Sequence, residues 1–167
     1  MASRIMEISA GLFAARIVVT RSGEVRRLSD EMNVPCLLHE LPNRNDTVRL
    51  GLEWLMQQAK FDGCVFAPAD QPLLGRMSLR LLLTAAESLP ERIWRLSWQG
   101  EPGTPVYFPA KFFPELLTLP EGKGGGVLCK RYPELVSLVE VDQPWELRDV
   151  DTKEDLRELL NIKRTAL

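Results

Sequence analysis

The chain has 167 residues, 45% of them hydrophobic and 26% charged, with a formal charge of −2. A chain of that length buries roughly 70% of the surface it exposes when unfolded, so disulfides or a structural metal are not needed to fold it, and disordered and collagen-like classes are excluded. Its 21 basic residues are dispersed among 23 acidic ones, which leaves no basic patch for a nucleic-acid partner.

The N-terminal stretch contains Glu7 and closes on Arg16, which breaks the apolar core that a signal peptide needs, and no apolar run approaches the ~20 residues of a membrane span. Cys36, Cys64 and Cys129 are far apart and accompanied by a single histidine, His39. That set is neither a disulfide framework nor a zinc site, so a cytoplasmic protein is expected. Arg16 to Thr20, Cys36 to His39 and Gly63 to Ala67 are short strand-like runs separated by helix-like stretches, the pattern of βαβ units. Continuous apolar runs such as Ile17-Val18-Val19 and Cys64-Val65-Phe66-Ala67 predict parallel strands covered on both faces.

From Thr47 to Lys60, Val48, Leu52, Leu55, Met56 and Ala59 share one helical face, with Arg49, Glu53, Gln57 and Lys60 opposite. Leu79, Leu82, Leu83 and Ala86 repeat the pattern in a helix that Pro90 ends. Between Ile93 and Phe108 two strand-like pieces flank Gly100-Glu101-Pro102-Gly103, which predicts a hairpin and one antiparallel strand. A glycine-dense loop, Glu121 to Gly126, leads to a helical turn over Val127 to Tyr132 and a strand over Leu135 to Val141. Trp145 to Asp149 reads as another short strand. The last helix opens at Asp151-Thr152-Lys153-Glu154-Asp155, continues through Leu156, Leu159 and Leu160, and has Lys163 and Arg164 at its basic end. No repeat or linker interrupts residues 1–167, which are expected to form one domain.

Asp70 lies beyond the carboxyl end of a strand, where open α/β sheets bind ligands, although a turn or helix cap accounts for it equally well. Asp149 closes the short strand before the last helix, and an acid from each of two strand ends is a sensible seat for Mg²⁺ and substrate phosphates. Asp151 reads more simply as a helix cap. Arg49 is placed in a first helical turn, where the dipole disfavours a cation, and Gly51 costs up to about 1 kcal/mol against Ala inside a helix. An anion beside Thr47 and Arg49, and a ligand or backbone approaching Gly51, are one explanation; a surface Arg and a tolerated Gly are the plainer one. Gly122-Lys123-Gly124-Gly125-Gly126 offers backbone N–H donors and an ammonium to an anion, or is only a turn. His39 reads as a structural strand-end residue.

In order along the chain, Arg44 to Leu52, Asp70-Gln71-Pro72-Leu73, Gly100 to Val106, Gly122-Lys123-Gly124-Gly125 and Asp149 to Asp155 together resemble the MobA-like NTP transferase family, in particular its molybdenum cofactor cytidylyltransferase branch. The resemblance implies a three-layer α/β/α Rossmann-like sheet, mostly parallel with one antiparallel strand. It implies transfer of CMP from CTP, or GMP from GTP, to the phosphate of a molybdopterin-type cofactor, with release of pyrophosphate and a molybdoenzyme as receiving partner. On that footing Asp70 and Asp149 hold Mg²⁺ and are catalytic, Thr47, Arg49 and Gly51 lie near the nucleotide, and Gly103, Pro105, Gly122, Lys123, Gly124 and Gly125 border the acceptor.

Members of the family open with a strand and a glycine-rich loop that grips the triphosphate, and this chain opens at what reads as the helix after them. The expectation is therefore a truncated relative without its first strand, leaving unpaired strand edges. Two other functions fit the residues: a non-catalytic homologue that binds molybdenum cofactor or a molybdoenzyme, and a metal-dependent sugar transferase for which Asp149-Val150-Asp151 is the metal motif.

Overall fold

The computed structural model describes residues 2–165; the side chain of Lys163, expected at the basic end of the last helix, lies outside the described part. Helix α1 (Ala2–Ile8) precedes β1 (Val18–Thr20), α2 (Gly23–Glu31), β2 (Cys36–Leu38), α3 (Arg44–Gln58), β3 (Gly63–Phe66) and α4 (Arg76–Ser88). The hairpin of β4 (Ile93–Trp98) and β5 (Glu101–Pro109) follows, then α5 (Phe113–Leu117), α6 (Gly126–Arg131), β6 (Val136–Glu140) and α7 (Lys153–Thr165).

The strands form two pieces: β1 pairs in parallel with β2, and a four-stranded sheet runs in the order β3-β5-β4-β6. Strand β5 is antiparallel to both of its neighbours, while β4 and β6 are parallel. The one antiparallel strand expected from the hairpin thus sits inside the sheet. Its turn is tighter than the glycine and proline pattern predicts. Gln99 and Gly100 both adopt positive φ, 50° and 81°, the geometry of a two-residue primed turn that follows strand twist, so Glu101, Pro102 and Gly103 already belong to β5.

Alternation along β5 divides the core. Val106 and Phe108 face a cluster with Leu52 of α3, Leu116 of α5 and Leu128 of α6, whereas Tyr107 faces Leu79, Leu82 and Ala86 of α4 together with Ile8 of α1. These are the helical layers on the two faces of the sheet. Helix α1 spans the two strand pieces: Ala2 and Met6 pack with Val18, Val25, Leu28 and Val34, while Ile8 joins the α4 side. A smaller cluster of Trp145, Val150 and Leu159 seats α7.

Three local expectations are corrected. Helix α3 begins at Arg44, because Asp46 accepts the Asn43 N–H at 3.3 Å and so caps the chain three residues before Thr47. Arg49 is therefore in the second turn, where it pairs with Asp46 and Glu53, both at 3.4 Å; no dipole conflict arises. The segment before Asp149 is a 3-10 turn, Pro144–Leu147, and not a strand. Proline at its start removes a ladder donor, and the turn buries Trp145 and Glu146 in place of strand pairing. Helix α7 is capped by Thr152, whose Oγ1 accepts the Asp155 N–H at 3.1 Å while Asp155 accepts the Thr152 N–H at 2.8 Å; Asp151, expected as the cap, is left outside that box.

Gly63 shows how tightly β3 and β5 are joined. A Cβ there would lie 2.4 Å from the Tyr107 Oη and 2.5 Å from its ring, and Tyr107 is 7% exposed, so its ring has no room to retreat. Gly63→Ala is expected to destabilise the fold by about 1–3 kcal/mol, read from the midpoint of urea unfolding at unchanged slope.

Candidate active site

Asp70 follows β3 by four residues, and Asp149 follows the 3-10 turn before α7. The two meet because the Val150 N–H donates to the Asp70 carbonyl at 2.8 Å. A second tie lies behind them. The carboxylate of Glu146, 8% exposed, accepts the Gly75 N–H at 2.8 Å and the Ser78 hydroxyl at 2.6 Å. Gly75 is the N-cap of α4 and has no side chain to satisfy the helix start; Glu146 supplies that acceptor from a distant segment. A Cβ on Gly75 would fall 2.6 Å from Glu146 Oε2, so the glycine is what admits the carboxylate.

Gln71 completes the junction. It is 4% exposed, and its Nε2 lies 2.8 Å from Thr104 Oγ1, 3.0 Å from Asp149 Oδ1 and 3.2 Å from the Leu147 carbonyl. Asp70 Oδ1 is buried without a hydrogen-bond partner. Burial first, and the charge of Asp149 second, push the Asp70 carboxyl above its ordinary value, with a smaller upward push from Asp151 and an opposing pull from Arg44. A carboxyl whose ionisation is opposed by burial and by a neighbouring acid, with one oxygen orphaned, makes a site that a divalent cation would relieve.

The remaining predicted residues fall in two groups, one on α3 and one on β5 and the glycine loop. Thr47 stands 3.2 Å from His39 Nε2 on an open cleft of about 700 Å³ at the carboxyl ends of β1 and β2, shared with Thr20 and Ser22. Gly51 is buried against β1, a Cβ there lying 3.0 Å from Val19 Cγ2, so it meets a neighbouring strand, and Arg49 spends its guanidinium on Asp46 and Glu53. On the other side, Gly103 packs on Leu147, with a Cβ reaching 3.0 Å from Leu147 Cδ1. Pro105 is fully buried, so it shapes β5 without offering surface to an acceptor.

The glycine loop docks on the start of α3. The Gly122 N–H donates to Asn45 Oδ1 at 2.9 Å, Asn43 Nδ2 donates to Glu121 at 3.2 Å, and the Lys123 N–H is taken by Pro120 at 3.0 Å. Two of the N–H groups expected to cradle an anion are therefore engaged, while the Lys123 side chain is exposed. Gly122 has φ +71°, and a Cβ on Gly124 would press on Arg44 Nε at 3.0 Å, so a larger residue at either position would disturb the loop. Gln71 and Glu146, which hold the site together, are absent from the sequence-based expectations; the only sequence signal for Glu146 is an acid in a segment with Pro144 and Trp145, which says nothing of a partner 71 residues away.

Residues 1–136 match the profile of the MobA-like NTP transferase domain. No curated protein sequence matches the chain. Among solved structures, Rv0371c from Mycobacterium tuberculosis H37Rv is similar at 26% identity and a TM-score of 0.77, over 96% of this chain and 82% of that one. A nucleotidyl transferase from Methanothermobacter thermautotroptrophicus, Mth528, is similar at 25% identity and 0.72, over 98% and 80%. The complex of Rv0371C with manganese aligns at 22% identity and 0.69, over 96% and 84%, a likeness of fold.

Two stability outcomes follow. Well below the ordinary aspartate value of about 4 Asp70 is protonated in folded and unfolded chains alike; as pH rises through that value the unfolded chain releases the proton first, so stability is lost with rising pH until the folded carboxyl also ionises. Asp70→Asn is expected to raise the thermal midpoint near neutral pH and to leave it unchanged near about pH 3, a comparison made by calorimetry at the two values. Glu146→Ala, which strands the Gly75 N–H and the Ser78 hydroxyl, is expected to cost about 1–3 kcal/mol in denaturant unfolding.

Proposed function

The chain belongs to the MobA-like NTP transferase family, and on that premise we propose that it transfers CMP from CTP to the terminal phosphate of a molybdopterin-type cofactor, releasing pyrophosphate. GTP is the alternative donor, and a cytoplasmic molybdoenzyme is the partner that receives the product. The observation that carries the reading is the convergence of Asp70 and Asp149 through the Val150 to Asp70 backbone bond.

The residues fit a divalent cation. Asp70 Oδ1 is buried and unpartnered, and Asp149 uses Oδ1 for Gln71. Mg²⁺ takes one or two carboxylates and fills its octahedron with water and phosphate oxygens, so a pair of acids is enough for it. Bound there, the ion would neutralise phosphate charge and favour departure of pyrophosphate.

The protein's own part is to bind and orient. Thr47 and His39 offer hydroxyl and imidazole groups to the nucleoside in the cleft at the ends of β1 and β2. Gly51 lets α3 approach β1 closely, and Arg49 braces the same helix. Gly103, Thr104 and the loop from Gly122 to Gly125, with the ammonium of Lys123, form the acceptor side over the buried Pro105. Held in line, the acceptor phosphate attacks the α-phosphorus directly, and no covalent bond to the protein forms.

With Mg²⁺ and molybdopterin supplied, CTP is expected to give more pyrophosphate than GTP, and Asp149→Asn is expected to lower kcat by about 100-fold or more. Coupled pyrophosphate detection reads both. Failure of the chain to bind or turn over either nucleotide would overturn the proposal.

A further inference from the structure

Gln71 is a nearly buried uncharged polar side chain hydrogen-bonded to Asp149, and its bonding is unusual. The carboxamide has two protons and three neighbours in reach of Nε2: Thr104 Oγ1 at 2.8 Å, Asp149 Oδ1 at 3.0 Å and the Leu147 carbonyl at 3.2 Å. The Leu147 carbonyl can only accept, and so can an ionised Asp149, which fixes which end of the amide faces them. The other end, Oε1, is buried with no partner, as is Oδ1 of the adjoining Asp70. An apolar side chain would fill this position without a stranded oxygen. The carboxamide is explained by what its nitrogen holds.

Those three acceptors come from two segments far along the chain, β5 at Thr104 and the end of the 3-10 turn with the residues that follow it, at Leu147 and Asp149. A single side chain next to Asp70 therefore fixes the second carboxylate and joins it to the acceptor-side strand. The bond to Asp149 is charge-assisted and uses Oδ1, leaving Oδ2 for a cation. We propose that Gln71 is a positioning residue, which orients Asp149 toward Asp70 for cation binding and couples that carboxylate, through Thr104, to the strand that receives the acceptor. The assignment rests on the reading of Asp70 and Asp149 as the cation pair.

The test titrates Mn²⁺ into the full chain in the presence of CTP and follows the free-ion electron paramagnetic resonance signal. Gln71→Met is expected to weaken Mn²⁺ binding about tenfold or more, with nucleotidyl transfer recovering when Mn²⁺ is raised in proportion, a rescue that general loosening of the fold would not give. The wild-type chain supplies a readout independent of whether that variant folds. In its amide spectrum Mg²⁺ with CTP is expected to shift the Gln71 side-chain NH₂ pair and Mn²⁺ to broaden it, and neither change is expected in Asp149→Asn. Mn²⁺ affinity within about twofold of wild type in Gln71→Met, or an NH₂ pair unmoved by Mg²⁺, overturns the role of Gln71 alone. Absence of Mn²⁺ binding by the wild type, or equal binding by Asp149→Asn, overturns the cation pair and this inference with it.

Discussion

The hydrogen bond from the Val150 N–H to the Asp70 carbonyl, 2.8 Å long, fixes where the chain's two key carboxylates stand relative to each other. Neither Asp70 nor Asp149 lies within a strand, so sheet pairing alone cannot set their relation. The bond is backed by Glu146 on the start of α4 and by Trp145, Val150 and Leu159 packed beneath α7. Together they turn a loop crossing into a rigid junction. A site on irregular backbone is as exact as the ties that hold it.

The same junction accounts for the electrostatics. Bringing Asp149 and Asp151 toward a partly buried Asp70 raises the cost of ionising it, and the fold accepts that cost together with orphaned oxygens on Asp70 and Gln71. Sites that bind charge commonly carry local destabilisation that a ligand relieves. Here the local cost is concentrated on one side of the sheet, between the end of β3 and the start of α7, while the large apolar clusters around Phe108 and Leu79 supply the stability that bears it.

Architecture sets two groups of residues apart. The four-stranded sheet with β5 in its interior carries Gly103 and Thr104 to one side, and the parallel pair β1 and β2 opens the cleft with His39 and Thr47 on the other. Helix α3 links both: its second and third turns pack on β1 through Gly51, and its first turn receives the glycine loop through Asn45 and Arg44. Because the loop is tied to α3 at Gly122, the glycine loop and the cleft at the ends of β1 and β2 are joined through one helix.

Helices α3 and α4, the hairpin and the last helix were legible in the residues because each rests on local rules: apolar spacing, a proline or glycine at an end, an acid in a first turn. The resemblance of ordered short motifs carried the family. What misled was also local. Arg49 seemed misplaced only while α3 was started too late, and Trp145 to Asp149 looked like a strand because apolar residues in a short run do not tell a strand from a 3-10 turn. Sequence by itself determined most of the element types and the single antiparallel strand, and it singled out Asp70 and Asp149. Only the tertiary structure decided that the sheet stands in two pieces, that Glu146 caps a helix 71 residues away, and that Gln71 binds Asp149. The reason is range: periodicity and capping are written within a few neighbouring residues, whereas a buried side chain's partners are chosen by whatever the folded chain brings against it.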